Sequence, residues 1–174
     1  SYSHNAYEKS IMRVPKLFHD YANMVKTYLQ VGYINDYQPG DKAIVFCSTV
    51  DMCTKMRDRL EEMLPDYTIK RYTAEDNYET NYKAPDIRVT TIGSGGTAHD
   101  LKGLTCNILT VNIDAYAANA QAAGRLREIE GRKTRFYFTT NQNITKHLNY
   151  HNKKKGILKD RACSFGNVHH GQLG

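Results

Sequence analysis

Residues Lys42-Ala-Ile-Val-Phe-Cys47-Ser48-Thr49 decide how the rest of the chain reads. An unbroken apolar run without polar alternation is what a strand buried on both faces requires. Gln38-Pro39-Gly40-Asp41 breaks the chain just before the run. Ser48-Thr49, just after it, brings hydroxyls that can cap a following helix. A strand of this kind belongs to a mostly parallel sheet with helices on both faces, since crossover helices are what cover the two sides.

Working downstream, a helix is expected over 51–64, stopped by Pro65-Asp66. Strands are expected over 68–72, 86–91, 106–112 and 135–139. The stretch 73–85 is polar and rich in tyrosine, with no clear period. A glycine-rich loop, Gly93-Ser-Gly-Gly-Thr-Ala-His-Asp100, follows the third strand. An alanine-rich helix is expected over 117–127 and another over 144–159. Upstream, 16–34 repeats apolar side chains at helical spacing through Leu17, Tyr21, Met24, Val25, Tyr28 and Ile34. The alternation predicts an α/β fold, a three-layer sandwich with a mostly parallel sheet.

At 174 residues, 40% hydrophobic and 24% charged, the chain is long enough for one domain with its own core. No apolar run approaches the roughly 18 residues that span a membrane, so no membrane partner is expected. The first residues carry no apolar secretory stretch, and with no initiator Met the chain is expected to be a piece of something longer. Cys47, Cys53, Cys106 and Cys163 form no CxxC pair, which fits a reducing, cytoplasmic compartment. Cys47 and Cys106 lie in strand-like runs, where a thiol acts as a small hydrophobe. A net charge of +6 favours polyanionic partners such as nucleic acid.

In an open parallel sheet, ligands bind beyond the carboxyl ends of the strands. Ser48-Thr49, Gly93–Asp100 and 115–125 all follow strands, so topology brings them to one edge. In the glycine-rich loop, Gly93, Gly95 and Gly96 permit unusual backbone and close ligand approach. Thr91, Ser94 and Thr97 add hydroxyls for phosphate oxygens. Ordinary turn chemistry explains the same loop composition. No Gly-Lys-Ser/Thr follows, so it is not a phosphate loop of the P-loop type. On a helix, Gln121 and Arg125 lie about 40° apart on one face. Arg125 there suits either a phosphate contact or a surface ion pair with Glu128.

Three stretches then resemble the C-terminal RecA-like lobe of superfamily 2 helicases, over about residues 42–140. Ala43-Ile-Val-Phe-Cys-Ser-Thr49 is similar to motif IV. Val89-Thr-Thr-Ile-Gly-Ser-Gly-Gly-Thr-Ala-His-Asp-Leu101 is similar to motif V. Gln121-Ala-Ala-Gly-Arg-Leu-Arg127 is similar to motif VI, Q-x-x-G-R-x-x-R. The pattern is more similar to phage and viral DNA helicases than to the DEAD-box group. The resemblance implies that Arg125, with Arg127 as its partner, faces the γ-phosphate of ATP as an arginine finger. It implies that Gln121 orders the attacking water or the phosphate. Asp100, with Gly96 and Gly124, would border the nucleotide. Ser48, Thr49, Thr91, Gly93 and Ser94 would touch the nucleic-acid backbone. ATP and Mg²⁺ would be held mainly by a first lobe N-terminal to Ser1, because this chain has neither a phosphate loop nor an acidic metal-binding box.

The implied domains are a helical linker segment at 1–40, the RecA-like lobe at 41–162 and a flexible tail at 163–174. The implied partners are nucleic acid, DNA favoured over RNA, and the first lobe of the same polypeptide. The location would be the cytoplasm, that of the host if viral. Two positions depart from the family. Glu128 stands where its second arginine would be, with Arg127 one position early, and Ala98-His99 replaces a common glycine in motif V. The alternative is a RecA-like binding module without motor activity; another α/β enzyme is a further one. His147 and His151, four apart, with Cys163, His169 and His170 make a weaker zinc pattern, and no metal ligand is assigned.

Overall fold

The computed structural model describes residues 4–95 and 101–110 in full and residues 135–138 as backbone. Its centre is the strand with which the reading began, β1 (Lys42–Cys47), with β3 (Ile87–Thr91) on one side and β4 (Leu104–Leu109) on the other. Outside these lie β2 (Ile69–Tyr72) and β5 (Arg135–Phe138), giving the order β2-β3-β1-β4-β5. All four pairings are parallel. The fold class is therefore the α/β parallel sheet expected. The fourth strand starts two residues before its expected position, and residues 111 and 112 lie outside the described residues.

Three helices cover one face of the sheet. Helix α1 spans His4–Arg13 and α2 spans Pro15–Leu29, with Val14 extended between them (φ −115°, ψ 108°). A residue preceding proline is driven out of helical geometry, and proline itself suits the first helical position, so the break and restart are local in origin. A π-helical turn, Gln30–Ile34, continues α2. Helix α3 (Val50–Met63) starts at Thr49, whose Oγ1 accepts a hydrogen bond from Met52 N at 3.1 Å.

Side chains alternate across the strands. Ala43, Val45, Cys47, Ile87, Val89, Cys106 and Ile108 share one core with Phe18, Tyr21, Val25, Tyr28 and Leu29 of α2 and Met52, Met56 and Leu60 of α3. The helical segment expected over 1–40 thus packs into the same core as the strands. Tyr33 seals its base, its hydroxyl donating to the Asp41 carbonyl at 2.6 Å. Each large aliphatic buried here contributes about 1.5–3 kcal/mol.

The opposite face is more polar. Ile44, Phe46 and Leu109 share it with buried Arg88, Thr90 and Asn107. Arg88 is fully buried and spends its guanidinium on carbonyls: Tyr82 at 2.7 Å, Ala43 at 2.8 Å, Asp86 at 3.1 Å, and Pro85. Burial pushes its pKa down to about 10, which leaves it cationic at neutral pH. This one side chain ties the π-helical turn Glu79–Lys83 and the 84–86 segment onto the sheet.

Candidate nucleic-acid interface at the strand ends

Register decides what meets at the carboxyl edge of the sheet. Cys47 pairs with Thr91 across β1 and β3, and Phe46 pairs with Leu109 across β1 and β4. Ser48-Thr49 and Thr91–Ser94 therefore leave neighbouring strands at one level, which brings together the five residues expected to touch nucleic acid. Thr110 is held at the same edge, its N and Oγ1 donating to the Phe46 carbonyl at 3.1 Å and 2.5 Å.

The Ser48-Thr49 turn is an anion cradle. The backbone N–H groups of both residues lie just ahead of α3, whose positive end favours negative charge there. The cradle is filled by the chain itself. Ser48 N donates to Glu8 Oε2 at 2.7 Å; Thr49 N and Thr49 Oγ1 each donate to Glu8 Oε1 at 2.8 Å. Glu8 is fully buried on α1, with His4 Nε2 3.5 Å from its carboxylate. Ser48 Oγ donates to Asn5 Oδ1. Sequence reasoning missed Glu8, Asn5 and His4: they lie in a polar segment without apolar period, and nothing local ties a glutamate at 8 to a turn at 48.

The glycine-rich segment opens with a helical turn, α4 (Ile92–Gly95). Thr91 caps it: its Oγ1 accepts from Ser94 N at 3.3 Å and donates to Ser94 Oγ at 3.2 Å. Gly93 and Gly95 differ from the conformational role expected of them, since neither has a left-handed φ. A Cβ on Gly95 would stand 2.5 Å from Thr90 Cγ2 and 2.8 Å from Phe46 Cε1, so Gly95 lets the turn lie flat on the sheet. Gly93 is exposed, with nothing within 4 Å of a Cβ and no left-handed φ. Gly96, Asp100, Gln121, Gly124, Arg125 and Arg127 lie outside the described residues, as do His147, His151, Cys163, His169 and His170.

Beneath the cradle, Cys47 and Cys53 are both fully buried. A hydrogen bond with Cys53, together with burial, raises the Cys47 thiol well above its ordinary pKa. These thiols are inert hydrophobes, as expected for Cys47. Among the described residues no cluster of three His, Cys, Asp or Glu side chains is placed to hold a metal, and no helix is long and apolar enough to cross a membrane.

No protein-family model and no curated protein matches the chain. Solved structures do. Domain 2 of the DEAD-box helicase Mss116p, a structure bound to an RNA duplex, is similar at a TM-score of 0.54 and 14% identity over 88% of this chain. The helicase domain of Pyrococcus furiosus Hef is similar at a TM-score of 0.50 and 16% identity over 76% of this chain. The chain spans 60% of the first structure's length and 27% of the second's. Identity this low speaks to architecture alone, and that architecture is the RecA-like fold of helicase domains.

Proposed function

We propose that this chain is the second motor lobe of an ATP-dependent superfamily 2 nucleic-acid helicase or translocase. The observation that carries the reading is the convergence of Ser48-Thr49 and Thr91–Ser94 at the carboxyl edge of a helicase-like parallel sheet. Backbone amides at a helix start and hydroxyls on an adjacent turn suit a chain of phosphates, read without regard to base. In sequence, Gln121–Arg125 follow β4.

In this reading Arg125 reaches a γ-phosphate held by a first RecA-like lobe of the same polypeptide, with Arg127 as second donor, Gln121 ordering the water, and Asp100, Gly96 and Gly124 bordering the nucleotide. ATP and Mg²⁺ belong mainly to that first lobe. A finger of this kind contributes about 10³–10⁵-fold to turnover. The deciding experiment is Arg125→Ala in the two-lobed protein. ATPase falls by about that factor while oligonucleotide binding persists. Undiminished ATPase would remove Arg125 as the finger and with it the proposed role of this lobe in hydrolysis.

A further inference from the structure

We infer that α1 is an autoinhibitory strap, in which the Glu8 carboxylate occupies the phosphate position of the nucleic-acid track and must leave before a strand can bind. The inference rests on the reading of Ser48-Thr49 as a backbone contact. Its own evidence is the seating of Glu8.

The first observation is chemical. The Glu8 carboxylate takes three donors of the cradle at once, Ser48 N, Thr49 N and Thr49 Oγ1, at 2.7–2.8 Å. Two anionic oxygens on two successive amides at a helix start is the arrangement a strand phosphate would make. Asn5 takes the remaining hydroxyl, that of Ser48. While α1 is docked, both amides and both hydroxyls of Ser48-Thr49 are engaged by Glu8 and Asn5.

The second observation is how α1 is held. Its buried side chains are His4, Glu8 and Ile11, of which two are polar and Glu8 alone is fully buried. By contrast α2 buries Phe18, Tyr21, Ala22, Met24, Val25, Tyr28 and Leu29. Apolar burial anchors α2 in the core, and nothing in water replaces it. The docking of α1 adds fewer apolar contacts, Ile11 with Tyr7 and Met12 against the core, and its most deeply buried group is the Glu8 carboxylate, whose place on the amides another anion can take. The third observation is the joint. Val14 is extended and Pro15 restarts the helix, so α1 and α2 are separate helices and release of α1 does not require α2 to unwind.

The test uses the whole chain and fluorescein-labelled oligothymidylate and oligouridylate. Glu8→Gln keeps the shape of the side chain and removes its charge; it should bind the oligonucleotide about tenfold tighter than the unsubstituted chain. In the unsubstituted chain, saturating oligonucleotide should speed hydrogen exchange at the amides of residues 4–13. That second measurement decides alone if Glu8→Gln proves unfolded. Equal affinity with unchanged exchange over 4–13 overturns the strap while leaving nucleic-acid binding intact. Absence of binding by either chain overturns the backbone-contact reading and the strap with it. Faster exchange with inorganic phosphate at matched ionic strength, equal to that with oligonucleotide, would make the cradle a site for free anions and overturn the strap.

Discussion

Gly103 stands against the carbonyl of Gly40, so close that a Cβ at 103 would lie 2.4 Å from that oxygen. Both glycines have left-handed φ, 95° at Gly40 and 89° at Gly103, and Lys42 N donates to the Gly103 carbonyl at 2.9 Å. Two turns at the amino edge of the sheet are thereby locked, at the opposite end from Ser48 and Thr91. Substitution separates conformation from contact. Gly40→Ala meets no atom within 4 Å and should cost about 1 kcal/mol from backbone strain alone. Gly103→Ala adds a backbone clash and should cost roughly 2–4 kcal/mol. Urea unfolding of the two variants checks the order, and equal losses would count against the contact.

Arg88→Lys tests the buried guanidinium. Four carbonyls converge on a planar group with five donors, and one ammonium cannot reach them all. A loss of about 3 kcal/mol is expected in chemical denaturation. A variant as stable as the parent would show that the π-helical turn Glu79–Lys83 is held by something else.

Asp76 supplies a pH dependence. Burial alone would raise its pKa, but hydrogen bonds from Arg71 and from Thr73 N and Oγ1 outweigh burial and hold it below 3.8. A carboxylate with a depressed folded pKa adds stability above the unfolded value and loses it as pH falls through the folded one. Asp76→Asn should therefore lower stability by about 1–3 kcal/mol at neutral pH. The gap to the parent should close in acid, below the ordinary carboxylate range. Melting temperatures at neutral and acid pH measure it; a gap that persists in acid would mean packing, not charge, is at stake.

Phosphate contact sets the salt response. Plotted logarithmically, oligonucleotide affinity should fall with salt by about 0.7 per phosphate neutralised on a single strand. Titrations at several salt concentrations give the slope, and a flat line would count against charge-neutralising phosphate contact by this chain.

What could be read from the residues follows from how each element is held. β1 and α3 announce themselves because their stability comes from an apolar run, a Thr cap and a Pro stop, all local. Ile69–Tyr72 is short, but Pro65-Asp66 and the polar stretch after it bound it. Helix α1 did not announce itself, since its partner is a turn forty residues away and its deepest contact is a carboxylate on backbone amides. The same is true of Arg88, a charge in the middle of a strand, where pattern reading expects an apolar side chain. Gly95 was legible as a glycine with a purpose, but which purpose depended on Phe46 and Thr90 across the sheet. The glycine-rich loop beyond Gly95 and the segment with Gln121–Arg125 are known from sequence alone.

The sealed pair Cys47 and Cys53 turns the seam between β1 and α3 into a chemical clock. Neither sulfur is exposed, so an alkylating reagent can reach either one only when the seam opens. Peptide-resolved alkylation then counts those openings at the spot where the proposed strand contact sits.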